Sequence, residues 1–163
     1  MNSSIATITC DTASSFAARV TGRVPAPLRA SALTRTFEEF VAEYAPSTGP
    51  VRLGQWSCAE AQRPSTRLGP QAQTYQATLA LGDRIGTARA TACGPVAALT
   101  AMLYERGIAV EMTAFHQRSA GSDIATFIQG ANGTRVEWAM GLSPDPVQSA
   151  LRAVVACANR LLA

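Results

Sequence analysis

Histidine is almost missing from this chain: His116 stands alone among 163 residues. A single histidine excludes any mechanism that needs two, and it removes the usual partner of a zinc-binding cysteine. The 4 cysteines, Cys10, Cys58, Cys93 and Cys157, are isolated from one another, and no Cys-x-x-Cys pair occurs. They are expected to be reduced and mostly buried, and no metal site or cofactor is expected. Charged residues are few, at 15%, and the net charge of +3 comes from scattered arginines. Without a basic run, a nucleic-acid partner is not implied. No stretch of about eighteen apolar residues is present, so no membrane-spanning helix is expected. Residues 1–20 lack the charged start and apolar core of a secretory signal. Together these absences predict a cytoplasmic protein.

What remains is an ordinary globular chain, 47% hydrophobic, long enough for one domain with a small appendage. Residues 1–30 show little periodicity and carry Pro25 and Pro27, which predicts a loose lead-in. Residues 31–49 form a linker helix. Its start is a capping box, Thr36-Phe37-Glu38-Glu39, in which the threonine oxygen takes one orphan N–H and the glutamate reaches back. Leu33, Phe37, Phe40, Val41 and Tyr44 share one face at helical spacing, and Pro46 to Pro50 stops the helix.

Residues 50–163 read as one unit written twice. Strands are expected over 51–59, 75–81 and 84–92, with a Pro/Gly/Ser-rich loop over 62–73 and a turn at Gly82-Asp83. A helix follows from Pro95 to about Glu105, with Val96, Leu99 and Leu103 on one stripe and Gly107 as its stop. The second copy has strands over 108–115 and 124–129, a loop at 119–123, a hairpin at Asn132-Gly133 and a strand alternating Val136, Trp138 and Met140. Asp145-Pro146 opens the last helix, which is expected to bury Val147, Leu151, Val154 and Leu161 and to expose Arg152, Asn159 and Arg160. The pattern predicts an α+β fold of two βββα units packed as a pseudo-repeat, helices on one face, forming a symmetric homodimer.

The segment from Tyr75 to Arg160 resembles the C-terminal regulatory domain of 2-isopropylmalate synthase. The resemblance rests on Gly94-Pro95-Val96, on His116 with Ser119-Ala120-Gly121-Ser122-Asp123, and on Trp138-Ala139-Met140-Gly141. The run Ser149-Ala150-Leu151-Arg152-Ala153-Val154-Val155 with Ala158-Asn159-Arg160 matches most closely. Residues 37–44 and 50–53 look like the linker helix and first strand of the same enzyme. The resemblance implies a dimer that binds leucine, or a related branched-chain acid, near the dimer seam, with a full-length synthase as a further partner. It implies no catalyst, because the family's chemistry sits in a separate metal-holding barrel that needs about 250 residues.

On that resemblance the ligand-binding positions are Gly94, Pro95, Val96, Val110, Thr113, Gln117, Asp123, Ile124 and Thr126. Gly94 opens a helix, whose free N–H groups can hold a carboxylate. Ile124 and Thr126 stand where the family has small alanines, Thr113 where it has an aromatic wall, and Gln117 where it has another small residue. These changes narrow or reshape the pocket. An alternative reading makes the pocket that of an enzyme for another small metabolite, with His116, Asp123 and Glu137 as acid/base groups. A third is a degenerate module that only dimerises.

Overall fold

In the computed structural model of the chain, residues 14–59, 69 and 71–163 are described. Most of the expected 62–73 loop, and Cys10, fall outside them. The first unit consists of β1 (Val51–Cys58), β2 (Gln73–Leu81), β3 (Arg84–Ala92) and helix α4 (Pro95–Tyr104). The second repeats the order with β4 (Glu111–Ala120), β5 (Asp123–Ala131), β6 (Val136–Ser143) and α5 (Pro146–Leu162). Each unit is an antiparallel meander, and the two sheets are separate, in the orders β1-β2-β3 and β4-β5-β6. The expected α+β fold of two βββα units is therefore present.

Alternation builds the first sheet. Tyr75, Ala77 and Leu79 of β2 point inward and are buried, while Thr74, Gln76 and Thr78 point outward. The inner faces of both sheets meet α4 and α5 in one core that includes Leu79, Leu99, Met102, Leu103, Ile128, Leu151 and Val154. Helix α5 lies so close to β6 that a Cβ on Gly141 would overlap the Ser149 carbonyl and the Ala153 nitrogen.

Sheet β4-β5-β6 differs from its twin because both its faces are buried. Phe127 and Met140, on the side away from α5, pack against Phe16, Val20, Val24, Leu28 and Phe40. This corrects the reading of residues 1–30 as loose, at least from Ser15 onward. Short helix α1 (Phe16–Arg19) and a 3₁₀ turn (Ala26–Leu28) lead into α2 (Arg29–Thr34) and α3 (Phe37–Tyr44). The rings of Phe16 and Phe40 stack at 4.0 Å. The capping box of α3 forms as expected, with Glu39 N–H donating to Thr36 Oγ1 at 3.2 Å and Thr36 N–H to Glu39 Oε2 at 2.9 Å. The chain extends at Arg35 between α2 and α3, so Leu33 falls off the shared face and is 67% exposed.

Three further expectations are corrected. Strands β4 and β5 run to Ala120 and from Asp123, leaving only a turn at 121–122 where a loop was expected, with Gly121 at φ 63°. The expected hairpin at Asn132-Gly133 does form, with residues 132–135 connecting β5 to β6 and Asn132 Oδ1 accepting from the N–H groups of Thr134 and Arg135. Asn159 is buried rather than exposed, whereas Val147 is 39% exposed. Asn159 Oδ1 accepts from Val51 N–H and its Nδ2 donates to Val51 C=O, both at 2.9 Å. That amide acts as a strand partner for β1 and ties the two units together.

Candidate functional site

The ligand-binding positions read from the sequence are scattered over the fold. Gly94, Pro95 and Val96 open α4 at a half-buried position, and a Cβ on Gly94 would meet nothing, so packing does not demand glycine there. Its backbone is extended, and no side chain caps the helix. Val110 lies in the main core instead, against Gly130 and Cys157. Thr113 is exposed on β4, with its hydroxyl on Gln129 Oε1 at 3.0 Å.

Gln117, Ile124 and Thr126 gather at the start of α5. Gln117 Nε2 donates to Thr126 Oγ1 at 3.0 Å and to the Pro146 carbonyl at 2.9 Å. Thr126 is fully buried, and its hydroxyl lies 2.7 Å from Ser149 Oγ. Ser149 in turn donates to the Ile124 carbonyl at 2.7 Å. If Thr126 donates to Ser149, each hydroxyl has a partner, and the buried polar cost is met inside the chain. Gln117, Thr126 and Ser149 thus satisfy one another at this helix start. Asp145 caps it, accepting from the N–H groups of Val147 and Gln148 at 3.3 Å.

The three acid/base candidates do not converge. His116 pairs across the sheet with Phe127 and stacks 6.3 Å from Trp138, on the face turned toward the N-terminal helices. Asp123 pairs with Ala120 at the end of the same hairpin, about 14 Å away at roughly 3.4 Å per residue. Glu137 pairs with Gly130 on the opposite face, and its carboxylate bonds Arg135 at 2.9 Å and Arg160 at 3.0 Å. A common proton-transfer centre from these three would need a different register. Among the described residues, no group of three or more His, Cys, Asp and Glu side chains could hold a metal ion.

Sequence reasoning missed a groove of about 600 Å³ between α3, β1, β6 and α5. Val41, Ala45, Leu53, Leu142, Val155 and Ala156 are among its apolar lining residues. Arg52, Gln148, Arg152 and Asn159 supply its polar groups. The available signal was weak: Asn159 and Arg152 lie on the side of α5 that its helical pattern assigns to solvent, although Asn159 turns inward to Val51, which also lines the groove.

No helix among the described residues is long and apolar enough to cross a membrane. No family model matches the chain. Curated relatives do. The chain is 32% identical over 131 residues to 2-isopropylmalate synthase of Kineococcus radiotolerans, covering 77% of this chain and 22% of that protein. The synthase of Renibacterium salmoninarum is 29% identical over the same shares. That of Parafrankia sp. is 37% identical over 71 residues, 41% of this chain and 13% of that protein. The chain spans about a fifth of the length of the first two. Over most of its own length, this chain is homologous to a segment of the 2-isopropylmalate synthases.

Proposed function

We propose that this chain is a regulatory-type domain of the synthase family, one that dimerises and binds a small branched-chain acid such as leucine. The observation that carries the dimer is the composition of α4. From Pro95 to Tyr104 its only polar side chain before the tyrosine is Thr100. A helix that is apolar all round belongs in an interior. Here Leu99, Met102 and Leu103 are buried, but Ala97 is exposed and Tyr104 is 73% exposed. A second copy covering this side would complete the helix's burial, and Gly94 to Val96 would then lie at the edge of the seam. The resemblance adds the ligand class and a synthase subunit as the regulated partner. A cytoplasmic setting follows from the same biosynthetic relationship.

A thermal-shift series with the amino acids and with branched 2-keto and 2-hydroxy acids tests the ligand. A ligand at about 100 times its dissociation constant adds about 2.7 kcal/mol, which for a domain of this size moves the midpoint by roughly 5–10 °C. A saturable shift with leucine or isoleucine is the expected result. No shift with any branched-chain acid at millimolar concentration would sink the sensing role.

A further inference from the structure

We propose that the groove between α3, β1, β6 and α5 is a binding site for an aliphatic carboxylic acid, held through its carboxylate by Arg152. This rests on the regulatory reading above but places the ligand away from Gly94, Gln117 and Ile124. Three observations carry it. The groove's volume of about 600 Å³ lies within the range of small-molecule sites, roughly 300–1,000 Å³. Its lining contains two arginines and no Asp or Glu, so the field inside favours an anion. Leu53, Leu142 and Val155 are among its apolar lining residues, a chemistry that suits a short branched chain.

The arginines are positioned rather than loose. Arg152 Nη1 donates to the Leu142 carbonyl at 2.6 Å, which pins the guanidinium at the rim and leaves other N–H groups of its fork for a carboxylate. Arg52 Nη2 donates instead to the Gly82 carbonyl at 2.7 Å, in the β2–β3 turn outside the groove lining, so the carboxylate falls to Arg152. Strand β1 adds backbone donors. It is an edge strand, and Val51 turns both its polar groups away from β2 toward Asn159. Leu53, two residues on, turns its N–H the same way, toward the groove. Because Val41 of α3 and Ala45 just after it line the groove together with β1, β6 and α5, an occupant touches the N-terminal helices and both βββα units at once. Its binding would therefore stiffen the joint between them.

The test is a two-dimensional amide NMR titration with L-leucine and, separately, with 4-methylpentanoate, which keeps the branched chain and carboxylate but lacks the amine. The wild-type chain is compared with Arg152→Gln and Arg152→Lys. Expected are saturable shifts at Leu53, Leu142 and Val155, an affinity about tenfold or more weaker in R152Q, and partial rescue in R152K. Shifts from leucine at Gly94, Val96 and Gln117 that R152Q leaves unchanged would overturn the groove and keep the sensing role. Groove shifts from 4-methylpentanoate alone would support the groove and remove the amino acid as ligand. No groove shift from either acid at several millimolar would overturn the inference.

Discussion

Burial makes Cys157 a poor thiolate. Its side chain is fully buried on α5, and desolvation first, then the nearby negative charge of Glu137, pushes its pKa from 9.0 up to about 11. The folded state therefore holds this proton more tightly than the unfolded chain does. The resulting stabilisation is complete below pH about 9 and is lost as pH rises through about 11, roughly 2–3 kcal/mol in all. Urea midpoints at pH 8 and pH 10.5 are expected to fall further for the wild type than for Cys157→Ala, and equal falls would refute the assignment. Gly141 presents the opposite situation, in which absence of a side chain is the requirement. Gly141→Ala would push α5 backbone away from β6 and is expected to cost about 3 kcal/mol. Chemical denaturation measures it directly. Nothing in the sequence around Gly141 announces that contact, because the opposing backbone belongs to residues 149–153 of another element.

At the scale of elements, local chemistry was legible and long-range chemistry was not. The capping box of α3, the turn at Gly82 and the prolines opening α4 and α5 depend on residues within one turn of each other, and each forms as read. The part of the N-terminal layer before α3 was not legible: α1 and α2 are four and six residues long, too short to show a period, and Phe16 is buried by partners from α3 and β5. Asn159 was misread for a related reason. Helical periodicity marks it as polar and outward, but its hydrogen-bond partner, Val51, lies 108 residues away in sequence. Asn159→Leu would leave both buried polar groups of Val51 without partners, at an expected cost of about 2–4 kcal/mol. Urea unfolding gives the total, and hydrogen exchange at the Val51 amide should quicken more than at β2 amides if the link acts locally as described.

For the molecule as a whole, the decisive asymmetry is in how its two units are covered. Sheet β4-β5-β6 is sandwiched between α5 and the N-terminal helices, whereas α4, beside β3, keeps an apolar side open. The doubled βββα plan was readable because each unit repeats its turn and proline signals. Which positions of that plan assemble a site was not, since the candidates are scattered over the fold. The open side of α4 gives the proposed seam its own test. Ala97 is exposed in the first turn of α4, where an acidic side chain suits the helix dipole, so Ala97→Glu should leave the fold intact. Placed in a homodimer seam, it would set two like charges against each other or bury them without partners. Sedimentation is expected to show a dimer for the wild type and a monomer for A97E, and the wild-type melting midpoint alone should rise with protein concentration. A monomeric wild type would refute the dimer, and a dimer indifferent to this substitution would move the seam away from α4.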